Sequence, residues 1–433
     1  MAGSSVALFC VLAVSCIALA ARTSHATGRD VGNDNHPIRY AAPPPPPMPT
    51  EPRACEFENL RLYRAYLVIQ KFRKIVTHDP KDVTSTWTGT DLCGSYKGFY
   101  CERPRNVRDR TVASVDLNGF QLRSDSLHGF VDGLPDLAIF HANSNNFGGG
   151  VPSLKALQYF YELDLSNNNL APAPFPTDVL GLTNATFLDI RFNSFFGELP
   201  EGLFSSFPQI EAIFLNNNQF SGYLPDNLGD SPVNYLSLAN NQFTGPIPSS
   251  IARAADTLLE VLFLNNMLSG CLPYELGLLA SATVIDAGTN RLTGTIPCSY
   301  ACLRNVEQLN LADNLLYGVV PDALCRLAYD DGHLANLTLS SNYFTWLGLS
   351  CWDLISEGKL NVDHNCIPWA ANQRSYEECA EFFHENWTTK LSCPVSFDVP
   401  CDHHKGYASV DAVRAEAKAA EEYQYRTYSA LKP

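Results

Sequence analysis

The sequence predicts an α/β solenoid: a horseshoe of about ten stacked repeats of roughly 24 residues, closed at each end by a disulfide cap. Three observations lead there. A thirteen-position pattern, L-x-L-x-x-N-x-L-x-G-x-[ILV]-P, recurs through the middle of the 433-residue chain. Eight of the twelve cysteines beyond the apolar N-terminus flank that stretch. The formal charge of −15 belongs entirely to residues 111–345, which hold 22 acidic and 7 basic side chains, while the remainder carries 23 of each. A chain 45% hydrophobic and 17% charged can bury a core. The acidic balance excludes nucleic acid as the main partner, since phosphate binding needs clustered Lys and Arg. Confinement of the excess to one segment excludes a uniformly acidic surface.

Val6 to Ala21 is apolar and uncharged, short for a membrane span of about 20 residues. Ala18-Leu19-Ala20 supplies a small-residue cleavage site, so residues 1–20 are expected to be a secretory signal peptide. Residues 21–54 form a Pro-rich, disordered spacer, because the run Pro43 to Pro47 favours extended polyproline II and cannot pack a core. Residues 55–110 read as an N-terminal cap, with a helix from Leu60 to Ile75 followed by Trp87, Cys93 and Cys101.

Residues 111–345 are the repeats. Leu163-Asp-Leu165-Ser-Asn-Asn168, Leu236-Ser-Leu238-Ala-Asn-Asn241 and Leu309-Asn-Leu311-Ala-Asp-Asn314 share one phase, and the Asn column runs from Asn145 to Asn342 at spacings of 23 to 28 residues. A degenerate first copy puts Phe120 in that column. These are leucine-rich repeats of the plant extracellular type. Each L-x-L is a short strand whose leucines turn inward and stack on neighbouring repeats, so that no repeat is stable alone. The Asn turns inward too, and a buried amide must be hydrogen-bonded, here to adjacent turns. Gly-x-[ILV]-Pro, seen seven times from Gly149 to Gly318, provides a tight backbone path and a stop to pairing. In the third repeat Pro172, Pro174 and Pro176 replace it, which predicts a local irregularity.

Residues 346–402 form a C-terminal Cys-rich cap, and 403–433 a disordered or loosely helical tail rich in Ala, Glu and Lys. An even number of cysteines in a secreted chain implies disulfides. Cys93–Cys101 suits the front cap, Cys325–Cys351 a staple across the last two repeats, and Cys366, Cys379 and Cys393 are assigned to disulfides whose pairing stays open. Sequons at Asn184, Asn336 and Asn386 fit glycosylation in an extracellular protein.

Positions four and six residues before each Asn-column residue should face outward on the concave sheet. In the front half they offer the acids Asp116, Glu162, Asp164 and Asp189, the aromatics Phe187, Phe214 and Tyr235, and His141. Acids steer a basic partner and aromatics supply affinity. The bland alternative is that exposed strand positions are simply polar, and that His141 is an ordinary strand residue and not a pH sensor. A sugar on Asn336 would crowd the rear of the same face. No H-E-x-x-H or G-x-S-x-G is present, so no enzyme is expected. Cys298-x-x-x-Cys302 reads as disulfide-forming and not as a zinc site, Cys401-Asp-His403-His404 as solvated tail, and neither cofactor nor metal is implied.

More specific motifs extend the reading. Cys93-Gly-Ser-Tyr-Lys-Gly-Phe-Tyr-Cys101, Gly270-Cys271-Leu-Pro-Tyr-Glu-Leu-Gly277, Ala301-Cys302-Leu303, Asn365-Cys366-Ile367-Pro368, Gln373-Arg374-Ser375 and Glu378-Cys379 resemble those of plant leucine-rich repeat extensins. The resemblance covers the Pro run to Cys393. It implies a secreted, cell-wall or apoplastic glycoprotein that binds small basic Cys-containing peptides of the rapid alkalinization factor type. It also implies a disulfide-linked homodimer, with Cys55 its natural candidate. A cell-wall polysaccharide or a receptor kinase ectodomain are further partners. The Ser-Pro-Pro-Pro-Pro tail of the family is missing from this sequence, which makes it similar to the tail-less relatives. The alternatives are an inhibitor of pectin-degrading enzymes using the same concave face, and a structural wall protein.

Overall fold

The computed structural model describes residues 51–104, 107–170, 172–329, 332–389 and 393, with 385–389 by backbone alone. The expected signal peptide, nearly all of the spacer, Cys401 and the tail lie outside the described residues, as does the side chain of Asn386.

Ten strands follow the L-x-L phase and pair in parallel, in chain order, into one continuous sheet: β2 (Thr111–Asp116), β3 (Ile139–His141), β4 (Glu162–Asp164), β5 (Phe187–Asp189), β6 (Ala212–Phe214), β7 (Tyr235–Ser237), β8 (Glu260–Leu262), β9 (Val284–Asp286), β10 (Gln308–Asn310) and β11 (Asn336–Thr338). The register is constant: Glu162 faces Phe187, Phe187 faces Ala212 and Ala212 faces Tyr235. A constant register follows from a constant repeat. The inward leucines Leu163, Leu188, Leu236 and Leu309 are all buried, and a one-residue slip would turn every one of them outward. Opposite the sheet run short 3-10 turns such as Ser249–Ala254 and Tyr274–Leu278.

The Asn column forms the expected ladder. Asn266 Oδ1 accepts from the Phe243 N–H (3.1 Å), and its Nδ2 donates to the carbonyls of Leu238 and Phe263 (3.0 Å each). Asn241 and Asn290 repeat this with their own neighbours. The ladder continues one step beyond the predicted array. Leu360-Asn-Val362-Asp-His-Asn365 supplies an eleventh strand, β12 (Leu360–Asn361), and Asn365 bonds to Phe344 and Leu339 as a further rung. The cysteines around it hide this repeat within the expected cap of residues 346–402.

The glycines of Gly-x-[ILV]-Pro all take positive φ, between 73° and 93°. All but Gly149 sit in a second, lateral sheet of seven strands, from Phe196–Gly197 to Tyr343–Leu347. This sheet does not reach the front. Arg123–Ser124 and Asn146–Phe147 form a separate pair, and the Pro-rich third repeat contributes only a bridge from Pro174 to Phe196. The missing donors of three prolines explain the break.

Both ends are covered. At the front, α1 (Leu60–Arg73) is capped by Asn59, whose Oδ1 accepts from the Leu62 N–H. It buries Leu62, Ile69 and Phe72, and Phe72 stacks on Phe130 of the first repeats (3.8 Å). The strand β1 (Phe99–Glu102), tied by Cys93–Cys101, pairs antiparallel with β2 and so occupies the open sheet edge. At the back, Cys325–Cys351 joins the last repeats to α2 (Leu349–Ser356). Cys366–Cys379 anchors α3 (Tyr376–Thr389), whose Phe382 stacks on Tyr343 (3.5 Å) of the lateral sheet. Cys393 then bonds Cys271, four repeats forward of β12 in the order of the strands, so this disulfide straps the back cap to the lateral sheet. Gly294 lies under that strap: a Cβ there would meet Cys393 Sγ at 2.8 Å. Among the described residues no helix is long and apolar enough to cross a membrane.

Candidate functional site

Strands β2 to β7 bring the predicted concave residues together. His141, Glu162 and Phe187 are neighbours across three strands: His141 Nε2 lies 3.0 Å from Glu162 Oε2, and its ring sits edge-on to Phe187 with centroids 6.5 Å apart. Phe187 in turn meets Phe214 edge-on at 5.8 Å. Tyr235 follows Phe187 and Ala212 along the row and is exposed. Asp116 opens the second row, followed by His141, Asp164, Asp189 and Phe214. Constant register thus turns residues 23 to 25 positions apart into one surface.

The aspartates of that row have a second duty. Oδ1 of Asp116, Asp164 and Asp189 each accepts the backbone N–H two residues on, at 2.9–3.0 Å. Asp286 does the same with Gly288 outside the acidic strip. This Asx geometry ends the strand and starts the turn, so part of the acidic pattern serves the repeat itself and not a ligand.

Asp189 corrects the expectation of an outward-facing acid. It is 0% exposed. Arg191, two residues on, covers it: Nε lies 3.0 Å from Asp189 Oδ2, and the guanidinium rests over the Phe214 ring at 5.2 Å. The short distances of the Arg191–Asp189 and His141–Glu162 pairs lack hydrogen-bond alignment, since neither Asp189 Oδ2 nor His141 Nε2 has a directed partner. They are charge contacts. Burial, then the Asp164 carboxylate, pushes the Asp189 carboxyl up to about 7, against the opposing pull of Arg191. Contact with Glu162 raises the His141 imidazole above its usual 6.5, against burial. As pH rises, Asp189 gains negative charge and His141 loses positive charge, so the face becomes more acidic.

Arg191 is not one of the strand positions that periodicity assigns to the concave face; it lies in the turn just after one. A signal was present: the equivalent residues of the flanking repeats are Asn143, Ser166, Asn216 and Ala239, and an Arg there is out of pattern.

Of the other predicted residues, Asn184 is exposed, with its Nδ2 donating to the Gln158 carbonyl (3.3 Å). Asn336 lies exposed on β11 of the concave sheet, so a sugar there would occupy the rear of that face. Cys93, Cys101, Cys325, Cys351, Cys366, Cys379 and Cys393 are all in disulfides, and Cys55 is exposed with a free thiol. No cluster of three metal-ligating side chains occurs among the described residues.

A family model described as Leucine Rich Repeat matches residues 233–254. Leucine-rich repeat extensin-like protein 2 of Arabidopsis thaliana is 41% identical over 181 residues, 40% of this chain and 22% of that protein. Leucine-rich repeat extensin-like protein 4 of the same plant is 42% identical over 172 residues, 40% of this chain and 34% of the relative. The matches therefore span about a third or less of those relatives. The ectodomain of the plant membrane receptor kinase GASSHO1/SCHENGEN3 from Arabidopsis thaliana, solved in complex with CASPARIAN STRIP INTEGRITY FACTOR 2, superposes with a TM-score of 0.56 at 19% identity, covering 70% of this chain and 44% of that one. That likeness is one of fold. The family resemblance read from the cap motifs and the solenoid architecture are both borne out.

Proposed function

We propose that this leucine-rich repeat protein, a relative of the leucine-rich repeat extensin-like proteins, is secreted to the cell wall or apoplast and binds a basic secreted peptide of the rapid alkalinization factor type on its concave face. The observation that carries the reading is the cluster of Glu162, Asp164, Phe187 and Phe214 on β4 to β6, where carboxylates flank two packed aromatics within an array of net charge −15. Carboxylates steer and orient a cationic peptide, and aromatic rings hold it once water is displaced. Secretion is supported by four disulfides among the described residues, which suit an oxidising compartment.

The test is calorimetric titration of a synthetic, oxidised rapid alkalinization factor peptide at pH 7.5 in low and high salt. The double variant Glu162→Gln/Asp164→Asn keeps the Asx acceptor of Asp164 and removes both charges. It should bind roughly tenfold more weakly, and its affinity should fall less with added salt, because exposed charges are screened within about 8 Å at physiological ionic strength. Equal affinity and equal salt dependence in both proteins would sink the reading.

A further inference from the structure

We infer that the binding surface does not end at the edge of the concave sheet but turns the corner of the fourth repeat through Phe192 and continues onto the lateral sheet at Phe196 and Tyr223, where it takes the aromatic or branched aliphatic side chains of the basic peptide. The inference rests on the proposed function and extends it to the apolar part of the ligand.

The residue preceding each Asn of the column adopts the left-handed conformation. In the neighbouring repeats this residue is Ser144, Asn167, Asn217, Asn240 or Asn265, with φ between 50° and 57°. Short polar residues tolerate that region because their side chains bond locally; bulky ones do not. Asn167 and Asn265, for instance, donate to Ser144 and Asn240 along the edge. In the fourth repeat the position holds Phe192 at φ 52°, 49% exposed. Its backbone is locked by the ladder, with N–H donating to the Asn216 carbonyl (3.0 Å) and C=O accepting from Asn168 (3.3 Å). The core of this repeat is already filled by the buried Phe195. An aromatic at Phe192 therefore strains the backbone and faces water without serving the core. Strain retained at an exposed aromatic beside a candidate site points to a use outside the fold.

The neighbouring lateral surface continues the pattern. Phe196 is 43% exposed and pairs in register with Gln219, on the strand that carries Tyr223, itself 71% exposed. The Tyr223 ring is seated on Gly245, where a Cβ would come within 2.6 Å of Cδ1. Glu198, two residues after Phe196, lies over Gly222, the neighbour of Tyr223, with its Cγ 2.6 Å from where a Cβ would stand. A carboxylate on a surface that carries exposed rings complements a cationic chain bearing apolar side chains. It does not suit a neutral apolar one. Asp189 is only three residues from Phe192, so the chain cannot separate the strip from the corner by more than about 11 Å.

Two acetylated octapeptide amides of equal charge serve as probes: Lys and Arg alternating with Ser, and the same cations alternating with Tyr and Leu. The Tyr/Leu peptide should bind the wild-type protein at least tenfold more tightly than the Ser peptide. Phe192→Asn restores the residue type of the neighbouring repeats, so it should melt no lower than wild type. It should shrink the preference to threefold or less and leave Ser-peptide affinity unchanged. Glu162→Gln/Asp164→Asn should weaken both peptides equally. An unchanged preference in Phe192→Asn, or equal binding of the two peptides by wild type, overturns the corner surface. Loss of the preference with no effect of the acid-strip variant leaves the corner standing and sinks the concave strip. No binding of either peptide at millimolar concentration overturns both. A wild-type dimer in solution that Phe192→Asn dissolves would make a second copy the occupant, and would overturn the assignment to a peptide.

Discussion

Asp189→Asn should stabilise the protein, and only at high pH. The wild-type carboxyl is wholly buried and titrates near 7 in the folded chain instead of 3.8. A folded-state value raised above the unfolded one favours the native state below the unfolded value. The benefit is lost as pH climbs, because the unfolded chain releases its proton from about pH 4 while the native state holds its own until about 7. At 1.36 kcal/mol per pH unit, the separation of the two values amounts to about 4 kcal/mol lost above pH 7 and about 0.5 at pH 4. Asn keeps the Oδ1 acceptor for the Arg191 N–H (3.0 Å) and carries no charge to desolvate. Arg191 loses a counterion but keeps its place over Phe214 and its access to water. Urea unfolding of the oxidised protein, followed by circular dichroism at pH 4 and pH 8.5, measures the difference. We expect a gain of about 2–4 kcal/mol at pH 8.5 and near equality at pH 4. A variant less stable than wild type at pH 8.5 would show that the ion pair with Arg191 outweighs desolvation, and would refute the reasoning.

Two further outcomes probe the scaffold. Asn266→Ala strands the Phe243 N–H and leaves the Leu238 and Phe263 carbonyls with one amide donor each, from Asn241 and Asn290, where there had been two; it should cost about 1–3 kcal/mol in the same unfolding assay, and a loss below about 0.5 would mean that water replaces the amide. Cys271→Ser/Cys393→Ser opens a bridge between residues 122 apart in sequence, worth up to about 5 kcal/mol by loop-closure entropy; limited proteolysis should then cut within residues 376–393 far sooner, and an unchanged cleavage rate would show that Phe382 stacking alone holds the strap.

The repeats were legible because their chemistry is local and periodic. Every inward Leu, every ladder Asn and every turn Gly recurs at nearly the same interval, and a fold that can be stable only as a stack leaves that interval as its signature. The tenth rung at Asn365 had the same signal in Leu360-Asn-Val362, obscured by the cap cysteines around it. The Cys93–Cys101 and Cys325–Cys351 pairs were readable for a similar reason, since their partners lie near in sequence or in adjoining repeats. Cys271–Cys393 was not, because it depends on the direction in which α3 leaves the back cap.

The candidate site divides along the same line. Periodicity alone tells which side chains share the concave face, so Glu162, Phe187 and Tyr235 fall in one row by counting. Whether each is available to a ligand could not be told. Asp189 and Asp164 occupy equivalent positions in successive repeats, yet one is sealed under Arg191 and the other is half-exposed. The difference arises from a guanidinium that folds back onto its own strand and onto the next repeat's Phe214. Likewise Phe192 looks like any apolar residue in the sequence, and only the left-handed backbone imposed by the rungs on either side reveals it as out of place. A repeat determines where side chains stand by counting. Exposure, ionisation and strain depend on what the neighbouring turns place beside them, and that information is carried by the packing of unlike residues across repeats.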